Sequence, residues 1–461
     1  MSDDPLIFIG RTKWRDLDRP FGLRCGDRRA HMYVIGKTGT GKSSLLETMI
    51  RQDILSGNGL ALFDPHGDLA ERLIEWIPET RKRDLIYLNV PDPEQRFGFN
   101  PLEGVPPLRR SLAANGIVET LKKLFDDAWG VRLEYILRSA LLLLLEQPQA
   151  TLADVMRLFH EKEFRKEAAE RSTNDQVRRF WLTEFEGYGK RRAEAVTPIE
   201  NKLGSFLIDP FVSRILTVSE STFQPREVMD GGKVLIVNLA KGKIGEAPAM
   251  LFGGLLVTML GLAGLERADA PQEARREFFI YLDEFQTFTT LALVNMLAEL
   301  RKYGVGLILA NQFTDQIDLE VRNAILGNIG TLIVFRVGSI DAERLVKELL
   351  PKLDPYELTL LPNRMFWIRP LVKGQSAEAF TGETITIRPG RYDDRKPQPP
   401  ASNAVRTGVP VLPAGGPRRL RGDRKEKEAP EARARRSIGR RYRVPEVPGS
   451  RIVKSAGRWR T

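Results

Sequence analysis

The sequence predicts an α/β protein, doubly wound around a parallel sheet, with an all-helical insertion and a basic tail. Three observations predict it. Short runs at Leu60 to Phe63, Asp84 to Val90, Lys233 to Leu239, Phe278 to Leu282, Val305 to Ala310 and Thr331 to Val337 are mostly continuous in apolar residues. Strands buried on both faces of a parallel sheet read this way, whereas half-exposed strands alternate. Helical patterns separate most of these runs. The third observation is a glycine-rich loop that stands between a strand and a helix.

That loop is Gly36-Lys37-Thr38-Gly39-Thr40-Gly41-Lys42-Ser43, which satisfies the spacing G-x-x-x-x-G-K-S. Met32 to Ile35 before it read as a buried strand, and Ser43 to Ile50 after it as a helix, with Ser44 in the first turn. Glycine permits backbone conformations that turn successive N–H groups inward around a phosphate, and the helix N-terminus adds partial positive charge. The expected ligands are ATP and Mg²⁺, with Lys42 on the β- and γ-phosphates and Ser43 on the metal. The second strand ends in Phe63-Asp64-Pro65-His66-Gly67, at the same expected sheet edge. Asp64 is a candidate for the Mg²⁺ shell. His66 has no partner at metal-ligand spacing and reads as a turn residue.

From about Pro106 to Gln224 there is no strand pattern, only helical stretches such as "VRLEYILRSALLLLLEQ". That length is too great for a loop in a compact domain, so it reads as an all-helical insertion. Ala249 to Leu265 is apolar for 17 residues, at the short edge of membrane-spanning length. It lies between two predicted strands. A single crossing would put the phosphate loop and Asp283-Glu284 on opposite sides of the membrane, so a buried crossover helix is expected instead.

Phe278 to Leu282 is an apolar strand followed by Asp283 and Glu284. Strand C-termini in open α/β sheets face the ligand crevice. Asp283 is the expected Mg²⁺ carboxylate, and Glu284 the expected general base for the attacking water. Val305 to Ala310 ends in Asn311-Gln312, on a strand expected beside the one carrying Asp283. Gln312 is either a contact to the γ-phosphate or water, or a surface amide. Arg301 closes a helix whose C-cap is Gly304, a position that suits the helix dipole alone and equally an arginine finger. Arg336, after the next strand, is a rival for that role. Two closing strands are expected near Met365 to Val372 and Ala377 to Ile387. The predicted parts are residues 1–105 and 225–388 for the nucleotide-binding core, 106–224 for the insertion and 389–461 for a disordered tail rich in Pro and Arg.

Composition bounds the rest. The net charge is +11, yet Arg388 to Thr461 alone holds 21 Lys and Arg against 7 Asp and Glu, so the preceding residues are slightly acidic. The tail suits sequence-independent contact with phosphates. "KGKIG" (Lys241 to Gly245) and "YGKRRAE" (Tyr188 to Glu194) are further basic segments that could meet DNA. Cys25 is the only cysteine, which excludes an internal disulfide and a multi-cysteine zinc site, and fits a reducing compartment. The acidic start "MSDDPLIFIG" lacks the charge of a signal peptide, so a cytoplasmic location is expected.

Taken together, "HMYVIGKTGTGKSSLL", "ALFDPHGDLAERLI", "FGFNPLEG", "VRLEYILRSALLLLLE", "FFIYLDEFQTF", "GLILANQF" and "ILGNIGTLIVFRVGSIDAERLVKEL" resemble the FtsK/HerA superfamily of DNA-pumping ATPases. The chain is most similar to the coupling-protein ATPases of type IV secretion and conjugative DNA transfer. The resemblance runs from about Ile7 to Ile387. It implies a RecA-like motor, a hexameric ring and DNA moved by ATP hydrolysis, with Lys42, Ser43, Asp283, Glu284 and Gln312 in the roles above. It also implies Arg301 as the finger, since it lies 11 residues before Gln312 as the family's finger arginine does. The thirty or so residues before the phosphate loop leave room neither for the usual membrane helices of coupling proteins nor for a HerA-type β-barrel. Attachment to a membrane secretion complex is therefore expected only through a partner. The alternatives are a defence or repair ring that feeds DNA to a partner nuclease, and a protein-docking ATPase adaptor that does not act on DNA.

Overall fold

A computed structural model of the chain describes residues 5–14, 17–125, 129–288, 291–349 and 353–385. The expected tail, residues 389–461, and the end of the last predicted strand lie outside them. The strands of the main sheet are β1 (Leu6–Trp14), β2 (Leu17–Arg24), β3 (Met32–Ile35), β4 (Gly59–Asp64), β5 (Leu85–Asn89), β6 (Val234–Asn238), β7 (Phe278–Leu282), β8 (Val305–Asn311), β9 (Thr331–Val334) and β10 (Met365–Arg369). A short hairpin, β11 (Leu371–Val372) and β12 (Gln375–Ser376), leads to β13 (Phe380–Thr384), which rejoins the main sheet.

The order across the main sheet is β2-β1-β13-β10-β9-β3-β8-β7-β4-β6-β5. From β9 to β5 every neighbouring pair is parallel, while β2, β1, β13 and β10 add an antiparallel edge. The sheet is therefore mixed, with a parallel centre. No strand is expected from the sequence before Met32, yet β1 and β2 form the outer pair of this edge. The predicted strand to Val337 stops at Val334.

The continuous apolar runs follow from the two-residue period of a strand. On one face Met32, Val34, Leu60, Leu62, Ile308 and Ala310 pack against the helices Lys42–Leu55 and Asp68–Trp76. On the other face Tyr33, Ile35, Ala61, Phe63, Leu307 and Leu309 join a second core that takes in the crossover helix Glu246–Glu266 and the helices of 110–216. Both faces are covered, so neither set of positions can be polar.

The apolar segment of the sequence is thus a crossover from β6 to β7. It meets the length and hydropathy of a membrane span, but 83% of its most apolar window is buried inside the protein. Between β5 and β6 the described chain is helical, with long helices at Arg110–Leu124, Val131–Leu144 and Arg192–Ile208. Arg110–Leu124 lies directly on the crossover helix: a Cβ added at Gly116 would sit 2.3 Å from Thr258 Cγ2. This helical stretch and one face of the sheet share one hydrophobic core.

A buried ion pair joins the short helix Cys25–Arg28, before β3, to the helix Lys42–Leu55 and to β7. Arg28 donates to both carboxylate oxygens of Asp53 at 2.8 Å and to Tyr281 Oη at 2.7 Å, and Tyr281 in turn donates to Asp53. Arg28 and Asp53 are fully buried. Asp53 lies on the helix that follows the phosphate loop, and Tyr281 two residues before Asp283.

Candidate functional site

All strands from β9 to β5 point the same way, so their C-terminal ends share one edge. The phosphate loop follows β3, Asp64 ends β4, Asp283-Glu284 follows β7 and Gln312 follows β8. Strand β8 stands between β3 and β7, which places Gln312 between the phosphate loop and the two carboxylates. Gly39, Gly41, Lys42, Ser43 and Ser44 line a cleft of about 400 Å³ together with Asp283, Glu284 and Gln312.

Gly39 (φ +75°) and Gly41 (φ +122°) hold left-handed conformations that let the loop curl above the start of Lys42–Leu55. A Cβ at Gly39 would meet nothing within 4 Å, so that part of the loop opens onto the cleft. Lys42 is buried, and its ammonium donates to the loop's own carbonyls, Gly36 O and, at 3.3 Å, Lys37 O. Burial draws Lys42 below the usual lysine range, while Glu284 and Asp283 pull it back up. The Ser43 side chain is exposed to the cleft.

Asp283 and Glu284 are each 6% exposed. Burial pushes Asp283 up to about 7, with the charges of Asp64 and Glu284 adding to the effect and Lys42 opposing it. A buried carboxylate crowded by two others is the environment a divalent cation relieves. With the Ser43 hydroxyl on the same cleft, the donor set is all oxygen, as Mg²⁺ requires. Magnesium and a triphosphate therefore fit these residues.

Both Glu284 oxygens accept amide N–H groups, Oε1 from Gln312 at 2.8 Å and Oε2 from Gln286 at 2.7 Å. The Gln312 carbonyl oxygen accepts from Thr38 Oγ1 at 2.9 Å. A hydrogen-bonded bridge thus runs from the phosphate loop to the carboxylate. Glu284 itself sits at φ +46°, a left-handed conformation that costs a non-glycine residue on the order of 1 kcal/mol and clusters at functional sites.

The structure separates other candidates from this cluster. Asp64 lines no part of the cleft: its oxygens accept the N–H groups of His66, Leu69 and Ala70, each at 2.9 Å, and cap the helix Asp68–Trp76. Asp64 therefore bears on the cleft only through its charge, which acts on Asp283. Arg336 is engaged within the chain, donating to Leu361 O at 3.2 Å and Asn363 Oδ1 at 2.9 Å. Arg301 opens a short 3-10 turn after the helix Leu291–Leu300, closed by Gly304 at φ +74°. It is exposed and lies before β8, about 20 Å of strand away from Gln312 at the other end. It is therefore not part of the cleft in its own chain.

Sequence reasoning misses three cleft residues: Asn363 and Arg364, which immediately precede β10, and the exposed His66 side chain. Arg364 is held at φ +71° with its N–H donating to Thr40 O at 2.7 Å, directly over Gly41. No local motif marks it; only chain folding brings position 364 to position 40.

Comparison with known proteins agrees with this geometry. The family model described as the central domain of the helicase HerA matches residues 19–249. The model described as the DNA-binding domain of type IV secretion-system coupling proteins matches residues 235–354. No curated protein sequence matches the chain. Among solved structures, the plasmid coupling protein TrwB in complex with the ATP analogue ADPNP is 17% identical, with a TM-score of 0.58 over 84% of this chain and 91% of that one. TrwB in complex with ADP and Mg²⁺ is 18% identical, with a TM-score of 0.57 over the same shares. VirB4 of Thermoanaerobacter pseudethanolicus is 13% identical, with a TM-score of 0.56 over 84% of this chain and 98% of that one. The first family match spans half of the chain, which belongs to the HerA helicase central-domain family and is a P-loop ATPase with the fold of TrwB and VirB4.

Proposed function

We propose that the chain is a magnesium-dependent ATP hydrolase that moves DNA through a ring of its own copies, in conjugative transfer or a related process. The observation that carries this reading is the Thr38–Gln312–Glu284 bridge, which ties a buried carboxylate to the phosphate loop. A nucleotide switch needs no such carboxylate, whereas repeated turnover does.

In this reading the phosphates of ATP lie along the loop from Gly36 to Ser44, with Lys42 turning from the loop carbonyls towards the β- and γ-phosphates. Ser43 and Asp283 hold Mg²⁺, which when bound neutralises charge on the phosphate oxygens. Glu284 takes the proton of the attacking water. Gln312 touches both the loop and Glu284, and so senses whether the γ-phosphate is present. Arg301, remote from the cleft of its own chain, serves a neighbour's cleft in the ring. The DNA reading draws on the coupling-protein family match over residues 235–354 and on the exposed Lys243 and the Lys190-Arg191 pair. TrwB, which shares this fold, is a conjugative coupling protein, and a membrane secretion complex is the proposed partner.

The test is ATP turnover by the purified chain with and without single- and double-stranded DNA. Lys42→Ala should abolish turnover, and Glu284→Gln should bind ATP without hydrolysing it. Stimulation by either DNA form is the expected result. Turnover indifferent to both would favour the protein-docking ATPase, and wild-type turnover in Glu284→Gln would remove the general-base role.

A further inference from the structure

We propose that Gln286 is a positioning residue that restrains the Glu284 carboxylate, and that Lys123 ties this restraint to the helical stretch between β5 and β6. The inference rests on the reading of Glu284 as the general base.

Glu284 shares its two carboxylate oxygens between two amide donors, Gln312 Nε2 and Gln286 Nε2. The first donor belongs to the phosphate-loop bridge. The second points away from it. Gln286 lies in the short 3-10 turn Phe285–Thr287, which begins at the left-handed Glu284. Its backbone carbonyl accepts the ammonium of Lys123, from the helix Arg110–Leu124. Its side-chain Oε1 is buried without a hydrogen-bond partner among the described residues, so the amide is placed for its donor end alone. Burial draws Lys123 down to about 8, with the charge of Asp318 opposing, so the group still carries a proton at neutral pH.

Both ends of this tie lean on the crossover helix. A Cβ at Gly254 would lie 2.8 Å from Thr120 Cγ2, one turn before Lys123. A Cβ at Gly253 would lie 2.5 Å from the ring of Phe288, which closes the turn holding Gln286. Displacement of Arg110–Leu124 therefore moves Lys123 against the Gln286 carbonyl. A continuous chain of contacts joins the phosphate loop to this helix: Thr38, Gln312, Glu284, Gln286, Lys123.

Two amide donors fix the orientation of the Glu284 carboxylate and occupy both of the oxygens that could receive a proton. With both oxygens taken, Glu284 is restrained. Withdrawal of the Gln286 donor frees Oε2 for the proton of the attacking water. A shift of the helix that carries Lys123 is the mechanical input that withdraws it.

The test is steady-state ATP turnover by the full chain without DNA. Gln286→Leu should raise kcat roughly threefold or more, with KM unchanged. Lys123→Met should act in the same direction, and the double variant should add little to either single one. Unchanged or lower kcat in Gln286→Leu, with binding of a fluorescent ATP analogue intact, overturns the restraint. If Gln286→Leu loses ATP binding, Lys123→Met carries the same readouts from outside the cleft. Glu284→Gln separates the two ideas: if it turns over like wild type, the base reading fails and the restraint with it. If it is inactive while Gln286→Leu and Lys123→Met match wild type, only the restraint fails.

Discussion

His31 shows how a residue outside the cleft supports it. Its ring is buried, Nε2–H donates to Leu297 O at 2.7 Å and Nδ1 accepts the N–H of Leu307 at 3.0 Å. It thereby fixes the helix that leads to Arg301 against the start of β8. Burial pulls His31 down to about 4, with the Leu297 carbonyl opposing and the Arg301 charge assisting. Between that value and about 6.5 the unfolded chain binds a proton that the folded one refuses, so stability falls as pH drops through this window. The loss approaches ~3 kcal/mol below the window. Urea midpoints of wild type and His31→Gln, measured at pH 7 and pH 5, should converge at the lower pH. At Arg28 the charge is fully buried against Asp53, so removing one partner strands the other. Arg28→Met should cost about 3–5 kcal/mol, whereas replacing Arg28, Asp53 and Tyr281 together by apolar residues of similar volume should cost less. Denaturant unfolding of the single and triple variants checks this.

Among the elements, the crossover helix Glu246–Glu266 decides most. It is apolar all round because the sheet covers one side and the helices of 110–216 the other. Its glycines allow close approach, above all Gly253 against Phe288, which steadies the turn after Glu284. Gly253→Val should push that ring aside, destabilise the chain by about 1–3 kcal/mol and lower kcat more than ATP affinity. Unaltered kcat with lowered stability would confine the contact to packing. The parallel strands were readable because burial on both faces leaves only apolar positions. The outer pair was not: β1 "LIFIGRTKW" turns polar halfway, and β2 "LDRPFGLR" carries Pro20, which is tolerated only because β2 is the sheet's edge.

For the whole molecule, Arg301 and the tail make separate predictions. Arg301 is too far from the cleft of its own chain to act there, so a finger role requires a ring. Mixed rings of Arg301→Ala and Glu284→Gln chains should recover part of the lost activity. No recovery in rings shown to be mixed leaves Arg301 as a helix-terminal cation alone. Residues 388–461 carry net charge +14, against −3 for residues 1–387. Removing residues 389–461 should weaken DNA binding at low salt and flatten its salt dependence while basal ATPase persists. Equal affinity with and without the tail would assign the DNA contact to the core.

The sequence by itself determined the nucleotide chemistry. A phosphate loop needs particular residues at consecutive positions, and the strand ending in Asp283-Glu284 is just as local. The helices and the central parallel strands were legible too, the helices by their apolar period and the strands as continuous apolar runs. Tertiary structure alone decided what those groups touch. Gln312 meets Glu284 because β8 lies between β3 and β7. Asp64 turns to cap a helix, and Arg364 reaches the loop from across the chain. Lys123 meets Gln286 because two helices pack through glycine. Such contacts join residues far apart in sequence, so no local period or spacing records them.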